Sequence, residues 1–419
     1  MAPKETDYIE LAHQRATEKK THVSFPQLKY PSLRDGGFKD PVQWLMGKAM
    51  DDGAEGLWRV HDGIYDLNDF IQRHPGGAEW LELSKGTDIT EAFESHHLNP
   101  TVRKMLDKFY VREAKTPRNS PFTFKEDGFY SSLRAAVYEE LKKVPAHVPR
   151  RADMIINGLF TTLLVASAFS CYTSNYWASM ASYLVASLSL AWVVVASHNY
   201  IHRKTNWRMY LFSLSLWSYR DFRVSHVLSH HLYPNTLMDL EVSAFEPIVF
   251  WNPRKQPFLS HFAILIEQIV FPFVFGMNFV KRFLLNFLRK GFFTNHYRWH
   301  DGVAFLLPVW MWIVSGNSFY NVVFMSETLD WGMHELEAVM DRQDINQSLF
   351  TVMTFFGDHA LHHLFPTIDH AVLPYLYPVF LEHCQKFRAN FRLTTQLDLI
   401  IGQIKMTLKT DPTLLKDDE

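Results

Sequence analysis

The sequence predicts a small α+β domain followed by an all-α domain that crosses a membrane several times. Three observations carry that prediction. Residues 36–113 break short apolar runs with turn-forming residues, as a small soluble domain does. From Met154 to Ser197, 44 residues, there is no Asp, Glu, Lys or Arg. Beyond that stretch, histidines recur in three tight clusters.

Composition bounds the function. The 419 residues hold 42 Lys and Arg against 44 Asp and Glu, a net charge of −2, so there is no basic face of the kind nucleic acid requires. The two cysteines, Cys171 and Cys384, are far apart. They support neither a disulfide framework nor a thiolate metal site and fit a reducing, cytosol-facing setting. The first twenty residues have no apolar stretch of the kind a secretory signal needs, and the final LLKDDE matches no retention signal.

In chain order, residues 1–35 are polar and of mixed charge and read as an arm. Residues 114–125, AKTPRNSPFTFK, read as a linker, and apolar residues at helical spacing predict a helix over 126–143, so that 114–150 joins two domains. The uncharged stretch is too long for one bilayer span, which takes about 20 residues, and suits two, at 154–173 and 177–197, with a tight turn at Ser174–Trp177. A buried helix of a soluble protein is the competing account, but such helices rarely lack a polar face for so long. Two more spans are expected at 259–280, despite His261 and Glu267, and at 302–325. If both cross, the stretch holding Lys281, Arg282, Arg289, Lys290 and Arg298 lies on the far side, against the positive-inside tendency. One of the two is then re-entrant or interfacial. Trp177 and Trp207 read as interface anchors, the helical domain runs over 151–395, and 396–419 is a tail.

Residues 58–97 contain His74, Pro75, Gly76 and Gly77 after a strand-like run. Proline and two glycines hold the histidine on a rigid, sharply turning loop whose backbone can pass close to a flat ligand. A haem b held on both faces needs a second neutral imidazole, and His96 and His97 are the candidates. The histidine clusters are His198 with His202, His226 with His230 and His231, and His359 with His362 and His363. Residues three and four apart share a helix face, so each cluster presents its imidazoles in one direction. Eight nitrogen ligands suit a first-row transition metal and exceed what one ion uses. Two metals follow, and redox coupling to a haem favours iron over zinc.

The runs DGIYDLNDF, RHPGG and GTDITEAF resemble the cytochrome b5 domain. That resemblance implies haem b between His74 and a histidine nine positions after Asp88, which is His97. Such a domain shuttles one electron and does no substrate chemistry, because both axial positions are filled. The clusters, in the order HxxxH, HxxxHH and HxxHH, resemble those of the membrane fatty acid desaturase and hydroxylase superfamily, and HHLFPTIDH at 362–370 is similar to the third box of front-end desaturases, which carry an N-terminal cytochrome b5 domain. The resemblance implies an α+β cytochrome b5-like haem domain followed by an all-α multi-span membrane desaturase domain. It also implies two non-haem irons on the eight clustered histidines as the catalytic centre, and an acyl-CoA or membrane lipid as substrate. Electrons would come from NADH–cytochrome b5 reductase, and the site would face the cytosol at the endoplasmic reticulum membrane. Two departures stand out: His359 replaces the usual Gln, and box two has one extra residue. They leave acyl hydroxylation, or a catalytically silent electron carrier, as alternatives to desaturation.

Several residues stand beside these sets. His334 is a candidate extra ligand. Asp358 and Asp239 are placed to orient imidazole N–H groups, whereas Glu241 reads as surface charge. Asn235 is expected to hold the turn after box two, and His296, His300 and His370 are expected to face solvent or headgroups.

Overall fold

The computed structural model describes residues 31–33, 41–120, 122–241, 243, 276–277, 279–282, 284, 299–315, 341–386 and 391–407. Helix α1 (Pro41–Asp51) has Pro41 at its first position and Gly53, at φ +65°, just past its end, the expected start and stop residues. Strands β1 (Trp58–Val60), β2 (Gly63–Tyr65) and β3 (Tyr110–Glu113) form an antiparallel sheet in that order, with Trp58 opposite Tyr65 and Gly63 opposite Glu113. Between β2 and β3 lie a 3₁₀ turn (Asn68–Arg73) and helices α2 (Ala78–Ser84), α3 (Thr90–His96) and α4 (Thr101–Leu106). The run before His74, read as strand-like, thus ends in a 3₁₀ turn. The small core is Trp58, Val60, Leu67, Leu81, Phe93 and Leu106. Full burial of each such side chain stabilises by roughly 1.5–3 kcal/mol. The indole N–H of Trp58 donates to the Leu81 carbonyl at 3.2 Å, so its polar atom is not stranded.

Residues 114–125 are not slack. Arg118 pairs with Asp88 at 2.7 Å and with Glu91, the Ser120 hydroxyl donates to Glu91 at 2.7 Å, and Phe122 stacks on Tyr233. Pro and Ser suggested a flexible linker, but the two buried acids of α3 and its approach demand a cation, and Arg118 supplies it.

Helix α5 (Phe129–Leu141) buries Leu133 and Val137 in the main core. Helices α6 (Arg150–Tyr172) and α7 (Tyr176–Ile201) form a hairpin across a three-residue break, at which the Asn175 side chain accepts from the Ala178 N–H. Their facing sides bury Ile156, Leu163, Ala186 and Val193, while Val165, Tyr172, Trp177 and Leu184 are exposed. Only 28% and 39% of their most apolar stretches are buried. These are the two helices among the described residues that are long and apolar enough to cross a membrane. Helix α7 runs past the expected end at 197, which places His198 inside it and His202 at its cap.

A 3₁₀ segment (Trp207–Ser215) and the short helix α8 (Tyr219–Phe222) lead into a π-helical turn (Arg223–His230). Helix α9 (Leu306–Ser315) lies on α6, where Trp310 donates to the Leu164 carbonyl at 3.1 Å. Strands β4 (Asp341–Arg342) and β5 (Leu393–Thr394) pair in parallel around helices α10 (Leu349–Thr354), α11 (His359–Leu364) and α12 (Leu373–Lys386), and α13 (Gln396–Thr407) follows. Most of the expected span at 259–280, with His261 and Glu267, lies outside the described residues, as do His296, His334 and the second half of 302–325. Of the charged stretch after residue 280, Lys281 and Arg282 at one end and His300 and Asp301 at the other are described. Arg282 pairs with Asp221 at 3.2 Å and Asp301 at 2.8 Å, and His300 meets Tyr219, all beside the π-helical turn.

Glu94, on α3, has a side chain with no exposure and is held by His61 at 2.7 Å, by Arg103 and, from α5, by Arg134. Burial alone would raise its carboxyl, but the His61 hydrogen bond and the two guanidinium groups outweigh that and pull it down to about 2. A depressed carboxylate contributes stability that is complete above its unfolded value near 4.5 and is lost as pH falls toward about 2. Glu94→Gln is therefore expected to lower the melting temperature at neutral pH. The gap to the wild type should narrow on acidification through that window, as read by thermal melts across pH.

Candidate haem and metal sites

The loop bearing His74 closes the 3₁₀ turn, and Gly77, at φ +112°, opens α2 in a conformation that side chains resist. His74 and His97 face each other with ring centroids 6.2 Å apart. That is twice the roughly 3 Å from a ligand ring's centre to its metal when the metal–nitrogen bond is about 2 Å. His74 Nδ1 lies 2.9 Å from the Gly77 carbonyl and His97 Nδ1 lies 3.0 Å from the Phe93 carbonyl. Both Nδ1–H groups donate to carbonyls, which leaves each Nε2 with a lone pair for an iron. Burial lowers the His97 pKa, so the ring is neutral as an axial ligand must be. The pair fits haem. His96 points the other way, against Trp80, with ring centroids 5.6 Å apart. The glycines serve partly another end than a flat ligand: a Cβ on Gly77 would lie 2.3 Å from Thr205 Oγ1, and one on Gly76 would lie 2.9 Å from the His74 ring.

The three histidine clusters meet in one buried volume. His198, His202, His226 and His231 offer nitrogens that all lie within 4.8 Å of one another. His198 Nε2 is 2.8 Å from both His202 Nε2 and His226 Nε2, and His231 Nε2 is 2.9 Å from His226 Nε2. Box three closes the group: His362 lies 4.7 Å from His202 between ring centroids, His363 stacks on His231 at 3.9 Å, and His230 lies 5.5 Å from His363. His359 Nε2 is 2.6 Å from His363 Nε2, so the histidine that replaces Gln turns into the cluster.

The π-helical turn explains the extra residue of box two. On an α-helix, positions 226 and 231 would diverge. Here the His231 N–H bonds the His226 carbonyl, five residues back, at 2.8 Å, and the two rings converge.

Carboxylates stand behind the rings. Asp239 lies 3.0 Å from His230 Nδ1, and Glu241 lies 3.0 Å from His226 Nδ1. The assignment of Glu241 to surface charge is thus corrected; its residue spacing gave no sign of the reversal that follows Asn235, which sits at φ +54° with its N–H on Asp239. Asp358, expected to orient His359, instead heads α11 at φ +50°, its N–H bonded to Asn346 and its carboxylate 3.2 Å from the Tyr377 hydroxyl. Asp341 takes the Ala360 N–H at 2.9 Å, and Arg342 holds the Phe355 and Phe356 carbonyls at 2.6 Å. Two expectations of exposure fail. His370 is buried with its ring 4.6 Å from His362, drawn in because Asp369 pairs with Arg203 next to His202. His300 is buried, stacked on Tyr210 and 2.9 Å from the Tyr219 hydroxyl.

Burial first, then neighbouring imidazoles, holds His226, His231 and His363 far below the ordinary histidine range. Burial, then Arg203, pushes His362 down to about 3. These rings are neutral. With its Nδ1–H given to Glu241, His226 Nε2 carries one lone pair, yet two other ring nitrogens crowd it. One lone pair cannot serve both, whereas a shared cation can, since nitrogens about 2 Å from one metal lie about 3 Å apart. His362 has both ring nitrogens buried without a hydrogen bond. The donor set is all nitrogen, so it fits a first-row transition metal. His198, His202, His226 and His231 are placed to hold one ion, and His362 packs against the same group.

Comparison with known proteins agrees with this layout. Residues 47–115 match the cytochrome b5-like heme/steroid binding domain, and residues 175–395 match the fatty acid desaturase family. A cytochrome b5-related protein of Drosophila melanogaster is 36% identical over 422 residues, covering 92% of this chain and 95% of that protein. The probable Delta(5) fatty acid desaturase C of Dictyostelium discoideum is 22% identical, over 85% of this chain and 92% of its own length. The acyl-lipid (8-3)-desaturase of Mortierella alpina is 26% identical over 52% of each chain. No solved structure matches the chain. With its desaturase match spanning more than half its length and a full-length cytochrome b5-related relative, the chain belongs to the fatty acid desaturase family and carries a cytochrome b5-like domain ahead of the desaturase domain.

Proposed function

We propose that this protein is an O2-dependent acyl-chain desaturase of the endoplasmic reticulum membrane. In this reading its eight clustered histidines hold two irons, and its own haem domain feeds them. One observation supports it above the others: imidazoles from three distant segments converge in one buried volume, with carboxylates behind two of the rings. In the same reading helices α6 and α7 span the bilayer with their exposed apolar residues toward lipid, and the haem domain and cluster face the cytosol.

Irons at this site would supply the oxidant that removes hydrogen from an unactivated C–H bond, which no side chain can do. The chain's own residues do the rest. Burial keeps the imidazoles neutral and water out. Glu241 and Asp239 fix which nitrogen of His226 and His230 faces the metals and raise the basicity of those rings. Asp341 and Arg342 hold the backbone on either side of His359, so box three keeps its aim. His74 and His97 hold the haem, whose single-electron chemistry means that NADH–cytochrome b5 reductase must reduce it twice per double bond formed. The names of the Dictyostelium and Mortierella relatives, a fatty acid desaturase and an acyl-lipid desaturase, support a fatty acyl substrate. Hydroxylation would begin with the same hydrogen abstraction at the same residues.

Expression in a host of defined fatty-acid composition tests the reading. The wild type should yield a new unsaturated acyl chain and His362→Ala should yield none; an identical lipid profile for both contradicts the proposal. Glu241→Gln should weaken iron retention against a chelator by about 10- to 100-fold, whereas a surface carboxylate would leave it unchanged. His97→Ala should abolish the bis-histidine haem spectrum and His96→Ala should keep it; the reverse result would exchange their roles.

A further inference from the structure

The haem domain touches the neighbourhoods of the first two histidine boxes through bonds made by named atoms, and Tyr130 of α5 lies between it and the third. At box one, the Thr205 N–H donates to the Gly76 carbonyl at 3.2 Å, two residues beyond His74 and three beyond His202. The Thr205 side chain occupies the space that a Cβ on Gly77 would need. At box two, Arg223 is fully buried one turn before His226. It donates to Glu79 of α2 at 2.7 Å and to the Ile201 carbonyl at 3.2 Å, and its guanidinium lies 4.1 Å from the centre of the Trp80 ring. Arg220 pairs with Glu79 at 3.2 Å, and the Tyr219 hydroxyl donates to it at the same distance. Beyond box two, Trp44 of α1 donates to the Met238 carbonyl at 2.9 Å, Lys48 donates to the Tyr233 hydroxyl at 3.2 Å, and that hydroxyl donates to Glu91 of α3 at 3.0 Å. At box three, the Tyr130 hydroxyl lies 3.4 Å from the Glu94 carbonyl and 3.3 Å from the Leu364 carbonyl, next to His363.

A carrier that swings on a tether needs surfaces that part cheaply into water. This one is buried and charged. Parting it would strand the Arg223 guanidinium inside the desaturase domain without its carboxylate, and a buried charge robbed of its partner is strongly destabilising. Helix α1, most of which precedes the cytochrome b5-like match at residue 47, is part of the same grip.

Resting on the proposed function, we propose that Glu79, Trp80 and Arg223 are positioning residues that lock the haem domain in one orientation, so that electrons pass within a single chain across the Trp80–Arg223 contact to the histidine cluster. In that step a ferrous haem held by His74 and His97 would give up one electron and become ferric, metals held by the histidine cluster would accept it, and no bond would form or break. Ile201, which Arg223 holds through its carbonyl, adjoins His202, and Arg223 itself lies on the turn that carries His226. The contact therefore joins the haem side to two of the ligand-bearing segments.

The test uses full-length, haem- and iron-loaded protein in detergent, comparing the wild type with the Glu79→Gln/Trp80→Leu double variant and with Trp80→Phe. Hydrogen exchange is read on peptides 78–84 and 233–240, and the haem reoxidation rate is read by stopped flow after reduction and mixing with O2 and substrate lipid. The double variant should lose protection in both peptides and reoxidise about tenfold or more slowly with an unchanged haem spectrum, since ångström-scale misplacement is costly. Trp80→Phe, which keeps an aromatic face for Arg223, should recover most of the rate. Lost protection with wild-type reoxidation overturns the proposal, as does a wild type whose 78–84 amides exchange without protection. A wild type that keeps its protection but whose haem stays reduced under O2 sinks the desaturase reading, while the protection itself sustains the locked docking.

Discussion

Eight imidazoles packed into a dry volume are the constraint around which the chain is built. An imidazole buried beside others is neutral, and a neutral ring has one lone pair to offer. At His226 that lone pair meets two other ring nitrogens within 2.9 Å, a crowding that hydrogen bonds alone cannot satisfy. A metal cation bound there would turn the same geometry from a cost into a source of order. Much of the surrounding structure reads as provision for it. Helix α7 runs on until it has delivered His198 and His202, the chain after box two turns back to set Asp239 and Glu241 behind their rings, and β4 pins the short helix of box three.

The haem module follows the same logic on a smaller scale. Two carbonyls fix the tautomers of His74 and His97, and the separation of the rings suits one iron between them. The neighbouring His96 belongs to another surface, where Trp80 and Arg223 meet it. The doubled histidine thus divides its labour: one ring faces His74 and the other packs on Trp80 toward the desaturase domain. A buried ion pair such as Glu79 with Arg223 contributes little net stability, but it specifies one arrangement over others, which is what electron delivery over a fixed path requires.

Local spacing made a good deal of this legible. Uncharged residues from Met154 to Ser197 located the α6–α7 hairpin within a few positions, and histidines at three- and four-residue intervals announced shared faces. What the spacing could not convey was tertiary. Glu241 reads as surface charge until the chain reverses at Asn235, His370 reads as exposed until Asp369 finds Arg203, and the Pro- and Ser-containing segment reads as slack until Arg118 meets Asp88 and Glu91. The extra residue in box two looked like a departure that weakened the site. A switch from α to π winding absorbs it and brings His226 and His231 together.

Whether these histidines jointly hold a pair of metals beside the haem is decided by counting total iron and haem on the same purified full-length protein. Two irons beyond the one in haem are expected for each chain. In His226→Ala that surplus should vanish while the haem is kept. Iron equal to haem in the wild type would contradict the pair of metals.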